Sequence, residues 1–260
     1  MPEIVKVFGE RNTSTNALTS LICKNSRSSV APSTAKDLDP GFLKRIRLAE
    51  KLGVPSGVRE WMTDRVFVGR DPLSMWKHTA TNFDDVASLA DTHVVFCVRH
   101  PASWILGLYK RPYHVHGRAA SGLTEFLDKR WKTVGRERLN GRRVGAIELY
   151  NIKMHAYSEL QQRLHSMGIS HSIVRHEDFA VDQHSVFEKL KPYLVGPNTE
   201  FSSLDASTKD QEKSREYYRD YYGGQKWRNE IDADSMQRIN EEIEWQLLEV
   251  LSYYPVNCIS

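Results

Sequence analysis

Residues 4–22, IVKVFGERNTSTNALTSLI, pass from a mostly apolar stretch through a break of small polar residues into a second apolar pattern. Residues 4–8 read as a short buried strand that stops at Gly9. From residue 15 onward Ala17, Leu18, Leu21 and Ile22 share one helical face, so the segment predicts strand, loop, helix. At such a junction the first backbone N–H groups of the helix have no partners, and the helix dipole adds about half a positive charge. Small side chains let the backbone approach an anion, Ser14 and Thr15 add hydroxyls, and Arg11 adds a fixed charge. These are the parts of a phosphate cradle, although no G-x-x-x-x-G-K-[ST] can be drawn through them. The same residues also read as a helix N-cap beside a solvent-exposed arginine.

The 260 residues suit one domain, 1–260, with 40% hydrophobic residues for its core and 27% charged residues for its surface. A net charge of only +3 does not point to nucleic acid. It leaves room for a local basic pocket around a small anion. Cys23, Cys97 and Cys258 form a sparse, odd set, which argues against a disulfide framework and for a reducing compartment. No apolar stretch reaches the roughly 18 residues of a membrane span, and the N-terminus lacks a signal-peptide pattern. A cytoplasmic location is expected.

Further along, residues 24–40 read as a surface loop, 41–52 as a basic helix ending at Gly53, and 75–78 as a short strand. HVVFCV, residues 93–98, is a continuous apolar run of the kind found in buried parallel strands, and Pro101 suits the first turn of a following helix. Residues 112–145, charged and Gly-containing, read as an insertion with short helices. A helix over 147–167, a strand over 170–174, a helix over 185–193, a loop over 196–214 and an amphipathic helix over 233–251 complete the chain. Strands alternating with helices predict an α/β fold with a central parallel sheet flanked by helices. Ligands of such sheets bind beyond the carboxyl ends of the strands, which gathers the loops at 9–16, 77–82 and 99–107.

Two further clusters lie at those ends. Lys77-His78 pairs a cation with an imidazole that works near neutral pH. Arg99, between a buried strand and a helix, can hold an anion in bidentate geometry or make a structural ion pair.

In this order and spacing the clusters resemble the sulfotransferase family that uses 3′-phosphoadenosine 5′-phosphosulfate (PAPS). The matching pieces are ERNTSTNAL (10–18), WKHTATN (76–82) and FCVRHPASWILGLYKRPYH (96–114), with VRHEDF (174–179) and YYRDYYGGQKWRNEI (217–231) following. The resemblance implies a P-loop NTPase-like sulfotransferase architecture with a helical insertion at 112–145, PAPS as donor and no metal. It implies that Arg11, Asn12, Thr13, Ser14, Thr15 and Asn16 bind the 5′-phosphosulfate. Arg99, Ser103, Gly107, Arg219, Gly223 and Gly224 correspond to the 3′-phosphate side, and His78, Lys77 and Arg11 to the chemistry. His78 is then the base for an acceptor hydroxyl.

Several positions depart from the family pattern. Asn12 stands where the family has lysine, with Arg11 one residue earlier. Gly107 stands at a serine position, with Ser103 one turn before it. Lys77 and His78 are adjacent rather than separated, and in place of a late Arg-Lys-Gly triplet there are Arg215, Arg219 and Lys226. Two rivals are an atypical P-loop kinase, which needs a Mg²⁺-holding carboxylate at a strand end, and a non-catalytic nucleotide-binding module.

The acceptor is expected to be a small molecule or a carbohydrate. Arg118, Lys129, Arg130, Lys132, Arg136, Arg138, Arg142 and Arg143 form either a basic lid near it or a solvated charged surface. His114-x-His116 has metal-like spacing but no third ligand in a recognisable pattern. Tyr217, Tyr218, Tyr221 and Tyr222 serve packing or nucleotide stacking, and the role of His176 stays open.

Overall fold

The computed structural model describes residues 2–80, 85–115, 117–205 and 213–257. The chain opens with β1 (Ile4–Gly9), α1 (Thr15–Asn25), β2 (Ser29–Val30) and a short α2 (Ala35–Leu38). Two helices, α3 (Phe42–Lys51) and α4 (Ser56–Val66), precede β3 (Thr92–Val98) and α5 (Pro101–Lys110). Next come α6 (Leu123–Asp128), β4 (Trp131–Lys132), β5 (Arg143–Val144) and the long α7 (Ala146–Ser166). The last part holds β6 (His171–Arg175), α8 (His176–Val181), α9 (Gln183–Leu190), α10 (Arg215–Gly223) and α11 (Ala233–Glu242).

Four strands form one parallel sheet in the order β2-β1-β3-β6, flanked by helices, and β4 and β5 pair as a separate antiparallel ribbon. The central strands sort their side chains by the two-residue period of a pleated strand. Phe8, Val94, Phe96 and Val98 join the core that holds α5, α7 and α11. Val5, Val7, Val95 and Cys97 join the opposite core with Leu18, Leu21 and Ile22 of α1 and Val186, Phe187 and Leu190 of α9. Each such side chain, fully buried, contributes about 1.5–3 kcal/mol. No helix is long and apolar enough to cross a membrane among the described residues.

β1 must end at glycine. A Cβ on Gly9 would lie 2.7 Å from the Cys97 Cβ and 2.8 Å from the Thr13 hydroxyl. Gly9→Ala should therefore cost about 1–3 kcal/mol through overpacking, read as a lower melting temperature; an unchanged melting curve would refute the close approach.

Three expectations differ from the structure. Residues 75–78 form a turn rather than a strand, docked beside β1 by the Gly9 N–H donating to the Lys77 carbonyl at 2.9 Å. Residues 24–40, read as a loop, carry β2 and α2, whereas the 112–145 insertion does hold short helical segments, α6 and a 3₁₀ turn at Gly135–Glu137, together with the β4–β5 ribbon. The helix expected over 233–251 stops at Glu242, where the Trp245 indole caps the Asn240 carbonyl at 2.9 Å and 3₁₀ turns follow.

Candidate functional site

A cleft of about 550 Å³ lies beyond the carboxyl ends of β1, β3 and β6. Its floor is the loop between β1 and α1. One wall is the Trp76–His78 turn, another is the end of α5 with the residues after it, and the last carries α8 and the tyrosines of α10.

The floor loop is wound by two residues in the left-handed region, Asn12 at φ 63° and Ser14 at φ 66°. Such conformations cost about 1–3 kcal/mol for residues other than glycine and collect at sites where backbone N–H groups converge on a ligand. Ser14 is the N-cap of α1 and its side chain makes no capping bond, so the N–H groups at the start of the helix are left for the cleft. The Ser14 hydroxyl instead meets His176 Nδ1 at 2.7 Å. His176 in turn packs edge-on against Tyr222, which gives it a positioning role over the loop. Asn12, Ser14, Thr15 and Asn16 line the cleft. Thr13 does not: it is buried and its hydroxyl donates back to the Glu10 carbonyl at 2.5 Å.

Arg11 requires a correction. Its guanidinium is buried beneath the loop, where Nη1 meets Glu10 at 3.0 Å and Glu137 at 2.9 Å. Lys153 of α7 completes the group at 3.1 Å from Glu10 and 3.4 Å from Glu137. Two carboxylates and two cations thus balance in a site buried away from bulk solvent. Burial by itself would raise the Glu137 carboxyl, but Arg11 and Lys153 hold it at about 2. Burial and neutralisation leave Arg11 as a buttress of the loop rather than its phosphate-facing charge. Lys153 also donates to the His78 carbonyl, and the Glu137 carbonyl accepts from Ala80 N–H at 3.0 Å, so the same group anchors the turn.

That turn presents the two expected catalytic side chains to the cleft. Lys77 Nζ donates to the Asn16 side-chain oxygen. His78 Nδ1 faces the Gly9 carbonyl. A carbonyl only accepts, so Nδ1 carries the proton and Nε2 keeps its lone pair. Burial, then the Lys77 and Arg11 charges, push the His78 pKa well below the usual imidazole value. The ring is therefore neutral at pH 7. Behind the turn, Lys6 of β1 donates to the carbonyls of Pro32, Leu73 and Met75 at 2.7–2.9 Å and fixes its approach to the sheet.

Arg99, just past β3, donates through Nε to the Ser103 hydroxyl at 2.8 Å and through Nη1 to the Asn12 carbonyl at 2.9 Å. It lies under the Tyr222 ring at 5.2 Å. Gly107 makes room for it: a Cβ there would stand 3.0 Å from Arg99 Nη1. Ser103, fully buried, supports Arg99 and does not line the cleft.

Arg219, Gly223 and Gly224 also lie outside the cleft, on the exposed side of α10 and its end. Lys213 and Arg215 line it instead, next to Tyr217, Tyr218, Tyr221 and Tyr222, whose rings stack in pairs 5.8 Å and 6.3 Å apart. Arg11 borders the cleft with its charge already answered by Glu10 and Glu137, and six further cations line it: Lys77, Arg99, Lys110, Arg111, Lys213 and Arg215. No carboxylate does so among the described residues.

Among the described residues, none of the lysines and arginines of 112–145 lines the cleft. Arg130 and Arg142 pair with Glu148 at 2.6 and 2.7 Å, and buried Arg136 pairs with Glu60 and Asp64 of α4. Absent from the expected site were Glu10, Glu137, Lys153, Lys213 and His176. Of these Lys153 carried a readable signal, a lysine between Tyr150 and Tyr157 on the apolar face of a predicted helix. Thr81, Asn82, His116 and Cys258 lie outside the described residues. His114 sits 3.5 Å from Glu60, and no cluster of three or more metal-ligating side chains occurs among the described residues. In comparison with known proteins, no family model matches the chain and no curated protein matches its sequence.

Proposed function

We propose that the chain is a PAPS-dependent sulfotransferase with a P-loop-like architecture, acting on an acceptor hydroxyl of a small molecule or carbohydrate. The observation that carries this reading is a cleft lined by cations and, among the described residues, by no carboxylate, which holds both a helix-terminal loop and a neutral imidazole at the carboxyl ends of a parallel sheet. Its volume suits a nucleotide-sized ligand, and its charge suits one with phosphates at both ends. Among the described residues no carboxylate lines the cleft, which counts against the kinase reading, since that needs one for Mg²⁺. Cys97, whose thiol burial pushes up to about 12, is no nucleophile. The unpaired Cys23 and Cys97 suit the reducing cytoplasm.

In the proposed reaction PAPS supplies an activated sulfuryl group. The start of α1, with Asn12, Ser14, Thr15 and Asn16, holds the 5′ end of the donor, and Arg99 with Arg215 holds the 3′-phosphate. The tyrosines of α10 provide faces for the base. His78 Nε2 takes the acceptor proton as the acceptor oxygen bonds to sulfur. The bond from sulfur to the 5′-phosphate oxygen breaks, and Lys77 stabilises the charge that develops there.

Calorimetric titration with 3′,5′-ADP, beside 5′-AMP and ATP-Mg²⁺, tests the reading. Binding that requires the 3′-phosphate and weakens at least tenfold in Arg99→Ala is expected, since a charge-assisted hydrogen bond is worth about 1.5–3 kcal/mol. Preference for ATP-Mg²⁺, or no binding of 3′,5′-ADP, overturns it.

A further inference from the structure

Half of the large apolar side chains most exposed on the described chain, six of twelve, fall between Leu43 and Val68. On α4 and its end, Val58, Trp61, Arg65 and Val68 repeat at helical spacing, with Trp61 57% and Val68 74% exposed. On α3 and its end, Lys44, Leu48, Lys51 and Leu52 make a second exposed stripe, with Leu52 at 71%. Side chains of this size left in water on two consecutive helices are a cost that folding alone does not explain.

The charge on the same segment is one-sided. Residues 42–70 carry seven Lys and Arg against three acids, a net +4, whereas the whole chain is +3. The acids are already engaged: Glu60 and Asp64 with Arg136, and Glu50 with Arg59. Among the described residues no carboxylate comes within ion-pair distance of Lys44, Arg47 or Lys51. The exposed Arg65 guanidinium lies over the Trp61 ring at 5.2 Å, which puts a cation and an apolar surface side by side on α4.

We propose that the α3–α4 segment docks the protein on an anionic lipid bilayer. An acidic polymer would answer the cations and leave Trp61, Leu52 and Val68 wet. An apolar groove on a protein would cover those side chains and strand the cations. A bilayer with anionic headgroups takes both at one depth, the headgroup boundary where Trp, Leu and basic side chains of interfacial helices reside. The segment is also placed to matter. Phe42 and Phe67 pack with Trp76, a wall residue of the cleft, so the docked helices are joined to that wall through a shared core. The docking stands independently of what reaction the cleft performs.

The test is sedimentation of the full chain with vesicles of phosphatidylcholine alone and with vesicles in which about a third is phosphatidylglycerol. Binding to the anionic vesicles alone is expected, weakening as salt is raised. Trp61→Ser and Arg65→Gln should each lower partitioning about fivefold or more, with melting temperature and 3′,5′-ADP titration matching the parent chain. No binding to either vesicle, equal binding to both, or variants that bind like the parent would overturn the proposal. A dimer of the parent chain in analytical ultracentrifugation that Trp61→Ser abolishes would also overturn it, and would assign the face to a second copy.

Discussion

Replacing His78 with alanine should lower turnover by about 10²–10⁴-fold while leaving 3′,5′-ADP affinity within a factor of two or three of the parent, the range expected when a general base is removed from an intact binding site. Sulfate release from PAPS, with water as the acceptor, gives a readout that needs no knowledge of the natural acceptor. The orientation of the ring is already set. Nδ1–H is committed to the Gly9 carbonyl, so Nε2 is the nitrogen left to take a proton. Burial and the neighbouring Lys77 and Arg11 charges lower the pKa well below 6.5. The ring is therefore neutral at neutral pH, and on the proposed mechanism the rate should stay level there and fall only in acid, below the ordinary imidazole range. A rate that declines already between pH 7 and 6.5, or near-full turnover in the alanine variant, would remove His78 from this role.

The second large effect is on stability. Glu137→Ala should destabilise the fold by about 3–5 kcal/mol, because it leaves Arg11 and Lys153 buried with Glu10 as their one remaining carboxylate. Urea unfolding would measure it; a cost below about 1 kcal/mol would show that the group is not held as described. The same carboxyl gives a pH dependence with a definite sign. Its pKa is about 2 in the folded chain against an ordinary value of 4.5, so between these the unfolded state binds more protons. The stabilisation is complete above about pH 4.5 and is lost as pH falls through 2. Glu137→Ala should flatten that part of the curve. Because Glu137, Arg11 and Lys153 sit directly under the loop and the His78 turn, the variant should also lose 3′,5′-ADP affinity, which links the two predictions through one piece of structure.

The strands and helices around the sheet were legible in the sequence where a local pattern specified them. The apolar run at 93–98 becomes a fully buried central strand, and Leu18, Leu21 and Ile22 bury together on α1. The parallel α/β class and the convergence of loops at strand ends followed from the alternation of elements alone. So did the placement of Asn12, Ser14, Thr15, Asn16 and Arg99 on one cleft, because each follows the end of β1 or β3, whereas Lys77 and His78 reach it from a turn docked beside β1 and Gly107 from within α5.

What the sequence could not show was how charges are partnered across distance. Arg11 reads as a cation beside a phosphate loop, and only folding brings it to Glu137, 126 residues away. A buried cation takes the partner that offsets its desolvation, and that partner comes from whichever element packs against it. The same holds for Arg136, which reads as part of a basic lid and ends beneath Trp76 between Glu60 and Asp64. Residues near α10 show the complementary limit. Arg219 and Arg215 are one helical turn apart and equivalent in composition, yet Arg215, at the N-terminal end of α10 next to Lys213, lines the cleft and Arg219, a turn further along, does not. Local periodicity determined the elements and the strand ends that carry the site; tertiary packing decided which charges stay available to a ligand and which are neutralised beneath it.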